Sequence, residues 1–114
     1  MHNFRVMKKR FDVIVIGAGS GLIISSYAAE RGLKVAIVEQ GAFGGTCLNR
    51  GCIPSKMLIR SADVVDEINR AQLLGINAKV ESIDWESIIK RATAAVDREA
   101  REIEQANRLS LIHI

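Results

Sequence analysis

The stretch Gly44–Lys56, GGTCLNRGCIPSK, contains both cysteines of the chain and its only proline. Cys47 and Cys52 have four residues between them, and Gly51 permits a bend that brings the two Cα atoms within disulfide reach. Cysteines at such a spacing form a structural disulfide, part of a zinc site or a redox couple. Each of the three predicts a different function for the protein.

Neither a zinc site nor a structural disulfide is favoured. Zinc requires about four ligands at short spacings, whereas the two histidines, His2 and His113, stand at opposite ends of the chain and are expected to be ordinary terminal residues. We therefore predict no metal site. A structural disulfide remains an alternative, but it would close a very small loop, for which the entropic gain is least. The absence of a secretory signal predicts a reducing, cytoplasmic location, where cysteine pairs are more often catalytic.

A redox couple fits the surroundings of the two cysteines best. Pro54 is suited to the first turn of a helix, and the N-terminus of that helix would favour a thiolate at Cys52. Lys56, one turn further on, would add positive charge nearby, with a solvated helix lysine as the alternative. Arg50 would likewise add positive charge beside Cys47, with a solvated loop residue as the alternative.

A second set of residues predicts a dinucleotide site. Gly17 allows a tight turn out of a strand, and Gly19 lets the backbone approach a pyrophosphate closely. A helix beginning near Ser20 would direct free N–H groups at that pyrophosphate. Glu39 follows Gly17 by 22 residues, where a carboxylate accepts hydrogen bonds from ribose hydroxyls and repels a 2′-phosphate. The pattern favours FAD or NAD over NADP, with an ordinary glycine-rich turn as the alternative.

The glycine pattern departs from G-x-G-x-x-G at its third glycine. Position 22 holds Leu22, and Gly21 stands one place early. Because the third glycine serves close helix–strand packing rather than ligand contact, we expect a slightly wider separation of helix and strand and an intact nucleotide site.

The hydrophobic pattern predicts the elements that position these residues. Residues 11–16 are an apolar, β-branched run expected to form a buried parallel strand, and residues 33–39 are expected to form a second apolar strand, with a helix over 22–31 between them. This order is a βαβ unit. A glycine-rich loop follows.

Two long helices are predicted after that loop. The first begins at Pro54 and ends near Gly75, and the second, capped by Asp84 or Ser82, continues to about residue 107. Both carry an apolar stripe at helical spacing. The predicted fold class is α/β, a Rossmann-like βαβ unit followed by two long helices.

The composition predicts one globular unit and disfavours several function classes. Of the 114 residues 48% are hydrophobic and 4% aromatic, the net charge is +3, and no apolar run is long enough for a membrane span. We expect neither a nucleic-acid nor a membrane partner. The chain divides into a basic N-terminal extension (1–10), the main unit (11–107) and a tail (108–114), which is either the start of another strand or foreign sequence.

Residues 44–56 resemble the active-site signature of the class I pyridine nucleotide–disulfide oxidoreductases, and they stand directly after a βαβ unit that ends on an acid, as in that family. The stretch DVIVIGAGSG adds to the resemblance, which covers about residues 11–107. The family implies a Rossmann-like FAD-binding domain, incomplete in this chain, and NAD(P) bound by a domain that the chain lacks. It also implies a disulfide substrate and a homodimer when full length.

Carried over by position, the resemblance implies that Cys47 exchanges with the disulfide substrate. Cys52 would lie against the flavin ring in a charge-transfer contact, and Lys56 would approach the reactive flavin nitrogen. Electrons would pass between NAD(P)(H), FAD and the Cys47–Cys52 disulfide. The residues implied to contact FAD are Gly17, Gly19, Ser20, Glu39, Gly45, Thr46, Cys52 and Lys56.

The residues CLNRGCIPSKML most resemble the dihydrolipoamide dehydrogenase type, apart from Arg50, where that type has a small apolar residue. A mycothione, glutathione or mercuric reductase type is the alternative. Two further hypotheses are a nucleotide-binding module with structural cysteines and a thiol–disulfide protein without flavin. We expect a lipoyl-type or other small disulfide as substrate of the full-length protein, with the present chain as an N-terminal part that is inactive alone.

Overall fold

The computed structural model describes residues 9–110 and 112–114. The predicted N-terminal extension, including His2, lies for the most part outside these residues. A 3-10 turn over Ala71–Leu74 extends the third α-helix. No helix in the described part of the chain is long and apolar enough to cross a membrane. The strands and α-helices are, in chain order, β1 (Val13–Ile16), α1 (Leu22–Glu30), β2 (Val35–Val38), α2 (Gly45–Arg50), α3 (Cys52–Arg70) and α4 (Trp85–Leu109).

The predicted βαβ unit forms. Strands β1 and β2 pair in parallel, with Val13 opposite Val35 and Ile16 opposite Val38, and α1 connects them. The parallel α/β arrangement expected from the sequence is therefore confirmed. The main core cluster beside this unit consists of Ala18, Ala28, Val35, Ile37, Phe43 and Ile112.

The prediction that β1 is a buried strand is wrong for one of its two faces. Ile14 is 59% exposed and Ile16 is 87% exposed, whereas Val13 and Val15 pack against the core. A continuous apolar run is typical of a strand covered on both faces. No described residues cover Ile14 and Ile16, so the side chains of β1 alternate between the core and the solvent.

The tail lies beside β2. His113 forms a parallel bridge with Ala36, and the Ile37 N–H donates to the His113 carbonyl at 2.8 Å. Ile112 is buried in the main core cluster, and the His113 ring stacks on Phe11. The tail thus adds a third parallel segment next to β2, as expected if it is the start of another strand.

The predicted glycine-rich loop contains the short helix α2, which the sequence pattern missed. Six residues are too few for a periodic apolar signal, and glycine lowers helix propensity. Helix α3 begins at Cys52, two residues before the predicted start at Pro54. Pro54 lies in the first turn, where its missing N–H is not needed. Gly75, at φ +78°, ends the helical run as predicted.

Helix α2 lies where the βαβ unit meets the two long helices. Leu48 of α2 is buried with Val96 and Ala100 of α4 in a second apolar cluster. Asp84 caps α4, since its side chain accepts a hydrogen bond from the Ser87 N–H at 2.9 Å. One of the two predicted caps is thereby confirmed, and the packing of Leu48 places α4 against the helix that carries Cys47.

Candidate functional site

The glycine turn between β1 and α1 is shaped by backbone contacts. Gly17 adopts φ +93°, and its N–H donates to the Val38 carbonyl at 2.8 Å, which ties the turn to the end of β2. A positive φ is costly for a residue with a Cβ, so this position favours glycine. The N–H groups of Gly19, Ser20 and Gly21 have no hydrogen-bond partner within the described part of the chain. They are the donors that a phosphate group would use.

Gly21 supplies the close packing assigned to the missing third glycine. A Cβ on Gly21 would come 2.7 Å from Cγ1 of Val15, so α1 begins in close contact with β1. Leu22 packs against the main core cluster. The expected wider separation of helix and strand is therefore wrong, because the close approach is made one residue earlier.

Glu39 follows β2 and directs its carboxylate at the glycine turn. Oε2 accepts the Ala18 N–H at 2.7 Å, and Oε1 accepts the Gly41 N–H at 2.8 Å. These bonds, that from Ala18 above all, hold the pKa of Glu39 below its ordinary value of 4.5. Each oxygen has lone pairs for a further donor. The carboxylate is thus ionised and oriented where a ribose-binding acid was predicted.

Helix α2 packs directly on the glycine turn. A Cβ on Gly45 would come 2.7 Å from the Gly19 Cα, and the Gly44 N–H donates to the Ala18 carbonyl at 2.7 Å. Gly45 also adopts φ +65°. Backbones come this close only where side chains are absent. The two predicted sites are therefore parts of one packed arrangement.

Asn49 anchors α2 and was not among the predicted site residues. Its Nδ2 group donates to the Phe43 carbonyl at 3.0 Å and to the Gly45 carbonyl at 2.9 Å, with a longer bond to Ala42 at 3.3 Å. Asparagine near a glycine pair is a signal for side-chain-to-backbone bonding in a tight loop. The carbonyls that it reaches are determined only by the folded loop.

The two cysteines lie on either side of the break between α2 and α3. Cys47 is in α2, Cys52 is the first residue of α3, and both are exposed free thiols. The side-chain hydrogen bond with Cys52 raises the pKa of Cys47 above its ordinary value of 9.0, and the nearby charge of Lys56 opposes this weakly. Cys52 is therefore the main influence on the pKa of Cys47.

Gly51 allows the end of α2 and the start of α3 to lie close together. A Cβ at this position would come 2.9 Å from the Thr46 carbonyl oxygen and 3.2 Å from the Cys47 Cα. A side chain at this position would therefore meet the backbone of α2, so the bend between α2 and α3 favours glycine. Within the described residues, no three His, Cys, Asp or Glu side chains are grouped as metal ligands.

The predicted FAD-contact residues fall into three places. Gly17, Gly19 and Ser20 form the glycine turn, whereas Cys52 and Lys56 lie at the start of α3. The remaining three line a pocket with a volume of about 330 Å³, which we call the nucleotide pocket. The loop residues at 40–42 were not predicted from the sequence, because their residue types do not indicate a binding role. The nucleotide pocket is lined by Glu39, Gln40, Gly41, Ala42, Gly45, Thr46, Asn49 and Arg50.

Comparison with known proteins identifies relatives of this arrangement. The family model described as pyridine nucleotide-disulphide oxidoreductase matches residues 11–110. A dihydrolipoyl dehydrogenase of Chlamydia muridarum (strain MoPn / Nigg) is 46% identical over 91 residues, which are 79% of this chain and 20% of that protein. A dihydrolipoyl dehydrogenase of Bacillus subtilis (strain 168) is 41% identical over 93 residues, 81% of this chain and 20% of that protein.

A mycothione reductase of Mycobacterium tuberculosis (strain ATCC 25618 / H37Rv) is 42% identical over 89 residues, 76% of this chain and 19% of that protein. The chain thus spans about a fifth of the length of the curated relatives it matches. The range matched by the family model contains the glycine turn, Glu39 and both cysteines. On this match, the chain belongs to the pyridine nucleotide-disulphide oxidoreductase family.

Proposed function

We propose that the chain is the N-terminal part of a flavoprotein disulfide oxidoreductase most like dihydrolipoyl dehydrogenase. One observation carries the proposal: helix α2, which holds Cys47, packs through Gly45 against the glycine turn at Gly19. A dinucleotide turn and a dithiol are thereby held in one fixed arrangement. Family membership and the names of the relatives support the same assignment.

FAD fits the residues around the glycine turn. The free N–H groups of Gly19, Ser20 and Gly21 and the ionised Glu39 carboxylate suit a diphosphate and a ribose. When bound, FAD supplies the two-electron chemistry that couples a nicotinamide to the dithiol. The proposed FAD contacts are Gly17, Gly19, Ser20, Glu39, Gly45, Thr46, Cys52 and Lys56.

The contribution of the chain's own side chains is thiol–disulfide exchange, which runs in either direction. In the dihydrolipoyl dehydrogenase direction, the substrate dithiol reduces the Cys47–Cys52 disulfide and is itself oxidised to a disulfide. In the opposite direction, the reduced cysteine pair reduces a substrate disulfide. Cys47 loses its proton, attacks one sulfur of the substrate disulfide and releases the first substrate thiol. Cys52 then loses its proton, attacks the Cys47 sulfur, closes the disulfide and releases the second substrate thiol. The two protons leave with the two substrate thiols. The placement of the two cysteines supports this sequence, because Cys47 in α2 and Cys52 at the start of α3 lie on either side of one tight bend.

The rest of the proposal concerns the full-length protein, since the chain spans about a fifth of the length of its relatives. NAD(P) would bind a separate domain, and the full-length protein is proposed to be a cytoplasmic homodimer. A lipoyl-type disulfide is the first candidate substrate, because two of the three compared relatives are named dihydrolipoyl dehydrogenases. The mycothione reductase relative supports a second candidate, a mycothione-type disulfide. Turnover of the two compounds at equal concentration decides between them.

Cysteine replacement in the full-length protein tests the proposal. Cys52→Ser is expected to abolish the long-wavelength charge-transfer absorbance that appears on reduction, whereas the matched variant Cys47→Ser keeps it. Both variants should lower turnover by about 10⁴-fold, because each removes one half of the exchange. If the absorbance survives in Cys52→Ser, the role given to Cys52 is wrong. A wild-type protein without bound flavin overturns the proposal as a whole.

A further inference from the structure

Arg50 is the residue at which the cysteine stretch departs from its family pattern, and it lines the nucleotide pocket. It is the last residue of α2, and its side chain is exposed. Within the described part of the chain, it forms no ion pair and no side-chain hydrogen bond. The side chain is therefore a cation beside the pocket that forms no ion pair with a carboxylate of the described residues.

The charges of the nucleotide pocket favour a role for this cation. Glu39 is the acid among the lining residues and Arg50 is the base. A dinucleotide adds the negative charges of its diphosphate to that of the carboxylate, and like charges in a partly desolvated pocket repel one another. A guanidinium opposes this repulsion, binds phosphate oxygens in a bidentate manner and also stacks on a flat base.

The position of Arg50 indicates which half of a bound dinucleotide, the adenosine half or the flavin half, it would contact. Arg50 and Thr46 are four residues apart on one face of α2, about one helical turn of 5.4 Å. The same pocket includes Glu39 and Gln40, which follow β2 at the place predicted for the ribose. Arg50 thus stands beside the ribose site, in a pocket that neither thiol lines.

We propose that Arg50 binds the adenosine-phosphate half of FAD and strengthens its binding. The proposal rests on the proposed function, because it requires FAD in the nucleotide pocket. It assigns Arg50 to cofactor affinity rather than to the reactivity of Cys47. Arg50 also borders a second groove, between α2, α3 and α4, which contains Asp97.

Titration of the flavin-free full-length protein with FAD and, separately, with ADP tests the assignment. Arg50→Met keeps the apolar stem and removes the charge, and we expect it to weaken both ligands by about tenfold, equivalent to 1.4 kcal/mol. ADP is the adenosine-diphosphate part of FAD, so an equal loss for both ligands locates the contact. Flavin fluorescence reports FAD binding, and calorimetry reports ADP binding, neither of which depends on turnover.

Three further variants make the test specific. Arg50→Lys should recover at least half of the lost affinity at low salt, because it restores the charge. Arg60→Met, at an arginine paired with Glu67 outside the pocket, should leave both affinities unchanged. Asp97→Asn should also leave them unchanged, and a loss equal to that of Arg50→Met would show that Arg50 acts through the second groove.

The outcomes separate this inference from the function on which it rests. Wild-type protein that binds FAD while Arg50→Met binds FAD and ADP equally well overturns the role of Arg50 and leaves the proposed function standing. A loss for FAD without a loss for ADP also overturns it, because the contact would lie on the flavin half. Wild-type protein that binds neither ligand overturns both proposals.

Discussion

Residues 13–50 and residues 52–109 are held together by different means. The first region depends on backbone contacts, with Gly19 and Gly45 face to face and Gly21 against Val15. The second region consists of two amphipathic helices, and the ion pairs of the described chain all lie between Arg60 and Arg108. Exposed ion pairs of this kind contribute little to stability.

The difference explains where substitution is tolerated. No residue of α3 is fully buried, so its position depends on a stripe of partly covered side chains and on its neighbours. In the first region, even one added methyl group is expected to be destabilising, because the Gly19 backbone leaves no space for a methyl group at Gly45. Cys47 belongs to the first region, and Cys52 is the first residue of the second. The position of Cys47 therefore depends on the backbone contacts of the first region, and that of Cys52 depends on helix α3.

Gly45→Ala is expected to have the largest effect and tests the role of backbone packing. The added Cβ would lie 2.7 Å from the Gly19 Cα at a φ of +65°, and we expect a loss of about 4 kcal/mol in the free energy of unfolding. Gly75→Ala is the matched control, because Gly75 has φ +78° but no atom within 4 Å of a Cβ. It should cost only about 1 kcal/mol. Equal losses in denaturant unfolding would contradict the comparison.

Leu48→Ala probes the contact that joins the two regions. Leu48 is 4% exposed and packs against Val96 and Ala100, so its truncation should lower the free energy of unfolding by about 3 kcal/mol. Leu73→Ala removes the same atoms from a side chain that is 81% exposed and should change stability by less than about 0.5 kcal/mol. A small effect at Leu48 would show that the long helices do not depend on α2.

The pKa of Cys47 tests whether the two thiols, one in each region, lie close to each other. The hydrogen bond with Cys52 is the main cause of its raised pKa, so Cys52→Ala should move that pKa down toward 9.0. Lys56→Met removes an opposing charge and should move the pKa slightly further up. The rate of iodoacetamide reaction as a function of pH measures both shifts. An unchanged profile in Cys52→Ala would mean that the thiols are apart in solution.

Glu39→Gln should have the smallest effect and concerns acid stability. Because folding lowers the pKa of Glu39, its ionised form contributes stability above about pH 4.5, and this contribution is lost as the pH falls through the folded value. Wild type should therefore lose more stability than Glu39→Gln between pH 7 and pH 3. Parallel stability curves for the two proteins, measured by denaturant unfolding at each pH, would exclude the hydrogen bonds from Ala18 and Gly41 as stabilising contacts.

Much of the fold was predictable because it depends on local pattern. Apolar periodicity predicts the βαβ unit. Residue types that favour helix ends predict the cap at Asp84 and the stop at Gly75. Helix α2 was missed because six residues that begin with glycine carry no periodic signal. The burial of β1 was overestimated, because apolar type alone does not show whether another element covers a face.

By itself, the sequence determined the chemical groups and their order: a glycine turn, an acid 22 residues later and two cysteines beside a proline. Those properties are local, since each depends on residue type and on spacing along one segment. Only the tertiary structure decided that α2 packs on the glycine turn, that Asn49 holds its loop and that Arg50 lines the pocket of Glu39. The contacts of α2 with the glycine turn and of Arg50 with the pocket of Glu39 join segments that are apart in the chain, and those of Asn49 depend on the shape of its folded loop.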